Sequence, residues 1–266
     1  MSTKTKIAWT DSTWNLAWGC VKVSAGCTNC YAENLADHGL RAYRQEGEVV
    51  GVWGPNRPRR TFGASHWAEP LKWERAAAKA GLRHRVFCSS MTDVFLDDPT
   101  IDGEREKLWP LIQRTPNLDW QLLTKRPERI AECLPANWGD GWPNVWLGTS
   151  IEDNRVAHRG DYLRQVPAVV RFVSYEPAIG PLDQLDLTGI DWVIYGGESG
   201  PGRRPEDKQW ARDMRDRCHA NDVAFFHKQS AGYRTEMGIE LDGKIIREFP
   251  EIRWQNQTRQ KSFARN

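Results

Sequence analysis

The chain has no apolar run approaching the roughly 20 residues that span a bilayer, and its start, Met1 to Ile7, lacks the apolar core of a signal peptide. It also lacks a charge imbalance. Its 37 Lys and Arg stand against 35 Asp and Glu, a formal net charge of +2, so no overall field draws it to nucleic acid or to an anionic membrane. A local basic patch stays compatible with that balance. Internal repeats and low-complexity linkers are missing too, and 266 residues suffice for one large α/β domain with a real core. A soluble, cytoplasmic protein with no membrane partner is the expectation.

Cysteine is present but unevenly placed. Of six, Cys20, Cys27 and Cys30 crowd into one loop, while Cys88, Cys133 and Cys218 are scattered as small core residues usually are. In a chain without signs of secretion, thiols grouped this tightly more often hold a metal than pair with one another. A helix is expected from Tyr31 to Tyr43, with Leu35, Gly39 and Leu40 on one face. Fourteen tryptophans are read as core and rim packing.

Residues 45–66 are rich in Gly, Pro and Arg and form a long loop or insertion. Its Arg57, Arg59 and Arg60, interleaved with aromatics, suit a phosphate-bearing or stacked ligand, or else a solvated loop pinned by those rings. Beyond it, apolar strands alternate with amphipathic helices. Helices are expected over Glu69–Ala80, Asp102–Arg114, Glu128–Leu134, Val156–Gln165 and about Lys208–Ala220, with a short helical turn near Leu182–Leu185. Strands are expected at Arg85–Ser90, Asp119–Thr124, Asn144–Thr149, Val169–Ser174, Trp192–Tyr195 and Val223–His227. That alternation implies right-handed crossovers and a parallel sheet covered on both faces: a partial or complete (β/α) barrel, with an open doubly wound sheet as the alternative.

Polar residues follow the strands directly: Thr92 and Asp93, Lys125 and Arg126, Ser150 and Glu152, Ser174 and Glu176, Glu198, and Lys228. Strand C-terminal ends are where barrels keep their chemistry, which favours the barrel. The barrel with its cysteine loop and insertion is assigned to residues 1–232. Residues 233–266 are assigned to a C-terminal β-hairpin turning at Asp242-Gly243 and to a basic tail, Arg253 through Arg265.

Three chemistries compete for the clustered thiols. A structural zinc needs a fourth ligand, from His38 or Cys88; a disulfide leaves one thiol over; a [4Fe–4S] cluster on three thiolates leaves one iron without a protein ligand. The three-cysteine loop opening a helix at a barrel mouth resembles the radical S-adenosylmethionine (SAM) superfamily. More narrowly, the loop together with Leu123-Thr-Lys-Arg-Pro127, Trp146-Leu-Gly-Thr-Ser-Ile-Glu-Asp153, Ser174-Tyr-Glu-Pro177 and Gly196-Gly-Glu-Ser-Gly200 resembles a phage-associated three-Cys-motif family. The superfamily's usual loop is Cys-x3-Cys-x2-Cys, whereas six residues separate Cys20 from Cys27 here.

The resemblance implies an enzyme in which Cys20, Cys27 and Cys30 hold a [4Fe–4S] cluster and SAM is cleaved reductively to a 5′-deoxyadenosyl radical, with an external electron donor and room for a partner protein. Tyr31 is then placed against the adenine. By position, Thr92 and Asp93 fall to the methionine amine, and Ser150 and Glu152 to the ribose or methionine. Lys125, Arg126, Glu176, Glu198 and Lys228 are the candidate catalytic residues at the mouth: the cations suit a phosphate or carboxylate, the acids a hydroxyl, an amine or a proton shuttle. With the arginine loop added, a nucleotide or nucleic acid is the expected substrate. The competing expectation is a zinc- or iron–sulfur-stapled nucleic-acid-binding protein without radical chemistry.

Overall fold

A computed structural model of the chain describes residues 5–38 and 43–251, with only the backbone of His38. After β1 (Ser12–Thr13) comes the cysteine loop, which contains a 3-10 turn at Ala25–Cys27. Next are α1 (Tyr31–Glu33), a π turn at Asn34–His38 and a small hairpin of β2 (Arg44–Gln45) and β3 (Glu48–Val49). Then follow α2 (Ala64–Trp67), α3 (Glu69–Ala80), β4 (His84–Cys88), α4 (Pro99–Gln113), β5 (Leu118–Thr124), α5 (Ile130–Cys133), β6 (Val145–Ser150) and α6 (Arg159–Arg164). β7 (Val170–Ala178), β8 (Trp192–Gly197), α7 (Lys208–Ala220) and β9 (Ala224–Gln229) complete the series.

Seven strands form one sheet in the order β1-β4-β5-β6-β7-β8-β9, every neighbouring pair parallel. β1 and β9 are not paired with each other, so the barrel is partial. Along β9, Ile246–Glu248 runs antiparallel, with His227 N donating to Ile246 O at 2.8 Å and Glu248 N to Phe225 O at 3.1 Å, and this blunts the edge. The expected turn precedes it: Asp242 and Gly243 both take positive φ, 53° and 74°, and Leu241 and Lys244 exchange backbone hydrogen bonds around them.

Alternation along each strand separates two cores. Phe87, Trp146, Phe172, Trp192, Ile194 and Phe226 point into the barrel and pack with Trp9. Their neighbours Val86, Trp120, Leu122, Leu147, Val173, Val193 and Phe225 point outward and pack with Leu108 and Ile112 of α4 and Met214 of α7. Period-two geometry then decides which strand-end residues reach the interior. Stepping by two from the inner residues, and from Leu123 of β5, which packs against them, lands on Lys125, Ser150, Ser174, Glu176, Glu198 and Lys228.

Differences from expectation have local causes. α4 begins at Pro99 rather than Asp102 because Asp98 caps it, accepting from Thr100 N at 3.0 Å and Ile101 N at 3.3 Å, with proline suited to the first turn. The helix expected from Tyr31 is one α turn passing into the π turn; its continuation through 39–42 lies outside the described residues, as do the basic tail beyond 251 and the side chain of His38. Near Leu182–Leu185 there is a turn in place of a helix. No helix among the described residues is long and apolar enough to cross a membrane.

Residues 45–66 pack onto the barrel. Arg59 is buried, donating from Nε to Asp98 Oδ2 at 3.0 Å and from Nη1 to Val52 O at 2.7 Å, while Arg60 lies over the Trp18 ring at 4.4 Å. Arg59 and Arg60 are therefore engaged within the fold, as a loop pinned by its aromatics would have them, and of the three arginines Arg57 is the exposed one.

Candidate functional site

At the C-terminal ends of the strands a cavity opens, with about 1160 Å³ of empty space, part of it continuous with solvent. Its floor is the top of the inner core, Trp9, Phe87 and Leu123, and its near wall is the cysteine loop, with Cys20, Cys27 and Cys30 all facing in. Every residue expected at the site lines this cavity except Glu152, which stands immediately behind the loop.

The loop is held from the barrel by three carboxylates on three different strand ends. Asp93 pairs with Arg126 at 2.9 Å, and Arg126 Nη2 donates to Val21 O at 2.7 Å, with Nη1 3.9 Å from Cys20 Sγ. Asp93 also accepts from Thr124 Oγ1 at 2.7 Å, Phe95 N at 2.9 Å and Lys125 N at 3.0 Å, and Thr92 Oγ1 donates to Gly19 O at 2.6 Å. Glu152 accepts from Ser24 Oγ at 2.8 Å, Lys125 Nζ at 2.6 Å and Arg159 Nη1 at 2.9 Å. Gly26 lies so close that a Cβ there would meet Glu152 Oε1 at 2.4 Å, so glycine is required for the approach. Glu198 accepts from Asn29 Nδ2 at 3.0 Å and from Arg204 Nε at 3.0 Å, and Arg204 Nη1 reaches on to Ala25 O at 2.9 Å. The six-residue spacer between the first two thiols thus supplies Val21, Ser24 and Ala25 as handles.

Charge in the site follows this wiring. Burial by itself raises the Glu152 carboxyl, but Lys125 and Arg159 outweigh it and hold the group below the usual carboxylate range. Glu198 is likewise raised by burial and brought lower overall by Arg204 and Asn29. Burial, reinforced by Asp93, pushes the Cys20 thiol up to about 11, and burial raises Cys30 as well. Both are protonated at neutral pH unless a metal displaces the proton.

Whether these residues fit a metal group can be tested on the donors. Cys88, the one cysteine near enough in sequence to a strand end to complete a set, faces the outer core and lies 3.1 Å from Ser89 Oγ; Cys133 and Cys218 sit in that core too. Among the described residues, no three His, Cys, Asp or Glu side chains converge as a single bound ion requires. Three soft donors line one cavity wall with no fourth cysteine facing it, a set that suits a cluster with an open metal position; His38, the other ligand a zinc could use, has its side chain outside the described residues.

One charged pair stands apart from the loop. Lys228 Nζ donates to Glu176 Oε1 on the far side of the cavity. Tyr31 reaches in from the loop with its ring half exposed and its hydroxyl 3.4 Å from Ser90 O. Sequence reading missed Ser24, Asn29, Arg159 and Arg204. Asn29 and Ser24 carried a weak signal, being polar residues inside the thiol loop, but nothing in the sequence joins Arg204 to Ala25 across the chain.

A family model described as "Protein of unknown function (DUF5131)" matches residues 4–259. No curated protein matches the chain. Among solved structures, a cysteine-to-serine mutant of spore photoproduct lyase matches at 14% identity and a TM-score of 0.48, over 74% of this chain and 58% of that one. The same lyase complexed with dinucleoside spore photoproduct matches at 13% identity and 0.48, covering 81% and 63%. A mutant form with the same dinucleoside matches at 12% and 0.47, covering 97% and 74%. The chain thus spans less than two thirds of the length of the first two.

Proposed function

The chain belongs to the family described as protein of unknown function (DUF5131), and from the chemistry of its site we propose that it is a radical SAM enzyme. The observation that carries this reading is the set of three thiols from one loop, and no fourth cysteine, facing a cavity at the strand ends of a partial parallel barrel. Cys20, Cys27 and Cys30 would hold a [4Fe–4S] cluster, leaving one iron open to the amino and carboxylate groups of SAM. When bound, such a cluster supplies the one-electron chemistry that opens the sulfonium and leads to hydrogen abstraction from a substrate.

The chain's own residues have separable duties in this scheme. Asp93, Glu152 and Glu198, with Arg126, Lys125 and Arg204, fix the loop that carries the thiols. Asp93 is fully engaged in that task, which moves it from the expected contact with the methionine amine to a positioning role, while Thr92 donates to Gly19 O and keeps its hydroxyl oxygen open as an acceptor. Lys125, Arg126 and Glu198, first read as catalytic, join Asp93 in that role. Ser150 and Tyr31 remain as cavity-facing groups for the cosubstrate, and Glu176 and Lys228 face the space left for a substrate, for which a nucleotide or nucleic acid is the reading kept.

The test is anaerobic reconstitution with analysis of iron and sulfide, followed by reduction in the presence of SAM. About four of each per chain is expected, with 5′-deoxyadenosine formed above a Cys27→Ala control. Tightly bound zinc without sulfide, or a full cluster that yields no 5′-deoxyadenosine, refutes the proposal.

A further inference from the structure

Each charged pair that ties down the loop ends on a residue between Val21 and Asn29. Lys228 and Glu176 do not. Their side chains hydrogen-bond only to each other among the described residues, leaving Glu176 Oε2 and two ammonium hydrogens without a protein partner. The fold makes room for the pair: a Cβ on Gly196 of β8 would meet Glu176 Cδ at 2.9 Å. The Lys228 side chain is 11% exposed and that of Glu176 23%, and both line the cavity, so their remaining hydrogen bonds are open to whatever occupies it.

Two buried hydroxyls lie alongside. Ser174, two residues before Glu176 on the same face of β7, is 2% exposed, and its register partner Ser150 on β6 is 5% exposed. Both line the cavity, and neither hydroxyl has a hydrogen-bond partner among the described residues. Tyr31, with its ring half exposed, lines the same cavity.

The ammonium and the carboxylate offer a donor and an acceptor side by side. The complementary ligand edge carries a hydrogen-bond acceptor next to an N–H donor, as the amide edges of uracil and guanine and the amidine edges of cytosine and adenine do. We propose that Lys228, Glu176 and Ser174 form a subsite for the acceptor–donor edge of a nucleobase. This deepens the nucleotide reading of the same cavity; it does not depend on the cluster.

The probes are uridine and cytidine, each of which places an acceptor next to an N–H donor, compared with 3-methyluridine, in which a methyl group replaces the N3–H. Binding to the reconstituted protein in the presence of SAM is measured by calorimetry. Uridine and cytidine should each bind about ten-fold or more tightly than 3-methyluridine, whose methyl group leaves the Glu176 carboxylate unpaired. The double variant Glu176→Leu/Lys228→Met removes both charges together, and melting it shows that it folds; it should bring the three affinities within about two-fold. Equal affinities in the parent protein, or no binding while 5′-deoxyadenosine is still formed, overturns the subsite and leaves the radical SAM reading standing. Selectivity against 3-methyluridine without 5′-deoxyadenosine supports the subsite and sinks that reading.

Discussion

Replacing Arg126 with methionine tests how the cysteine loop is held. Arg126 and Asp93 are buried, 7% and 5% exposed, and their pair is the link from β4 and β5 to Val21 and Cys20. Removing one partner of a buried ion pair usually destabilises by about 3–5 kcal/mol, because the other charge stays behind. Asp93 keeps its bonds from Thr124, Phe95 and Lys125, so the lower end, ~3 kcal/mol, is expected. At about 2–4 °C per kcal/mol for a chain of this size, the melting temperature should fall by roughly 6–12 °C. The assay is thermal unfolding of the metal-free protein at neutral pH, paired with iron uptake on reconstitution. Arg126→Lys should fall between, because an ammonium can keep Asp93 but cannot span to Val21 O with a second planar donor. The double variant Asp93→Asn/Arg126→Met should recover part of the loss, since it no longer strands a charge. A melt of Arg126→Met within about 1 °C of the parent, below ~0.5 kcal/mol, refutes the idea that this pair anchors the loop.

Other perturbations follow from the same contacts. Gly148→Ala places a Cβ 2.4 Å from the Phe172 ring, so overpacking should destabilise by about 1–3 kcal/mol in chemical denaturation, and an unchanged midpoint would contradict the inner packing. Glu198→Ala releases Asn29 and Arg204; hydrogen exchange in 24–30 should rise while the core strands stay protected, and unaltered exchange there counts against the clamp. His227 is held below its usual value by burial, with Lys208 and Arg247 adding to it. Being a base that the folded state keeps neutral, it contributes stability above its unfolded value of about 6.5 that is lost as pH falls through the window below it, at up to about 1.4 kcal/mol per pH unit. His227→Phe, whose ring can keep the stack on Tyr195, should flatten that slope, and the same slope in both proteins would assign it elsewhere.

Alternation of strands and helices was legible because period and length differ sharply between the two, and strand-end polar residues were legible because the inner face repeats every second residue. The closure of the barrel was not, since pairing of β1 with β9 is a contact between distant segments. Arg59 shows a second limit. Its charge is visible in sequence, but its bonds to Asp98 and Val52 O are not, so a structural arginine looked like a ligand-binding one. The start of α4 is a third case: apolar spacing placed it at Asp102, while the cap at Asp98 and the proline at Pro99 set it one turn earlier. Thr92 and Asp93 line the cavity as their position implied, yet position could not tell that the Asp93 carboxylate is already filled by Thr124, two backbone N–H groups and Arg126.

Three supports on three separate strands define a plane, and that is how the thiol loop is mounted. Asp93, Glu152 and Glu198 follow β4, β6 and β8, every second strand, so the loop's tilt reads out the relative positions of half the sheet. Loosening one support should tilt the loop about the other two rather than free it, and its cysteines would shift by unequal amounts. A graft of residues 20–30 onto another barrel would accordingly need acceptors on three alternating strands, because the loop does not carry its own shape.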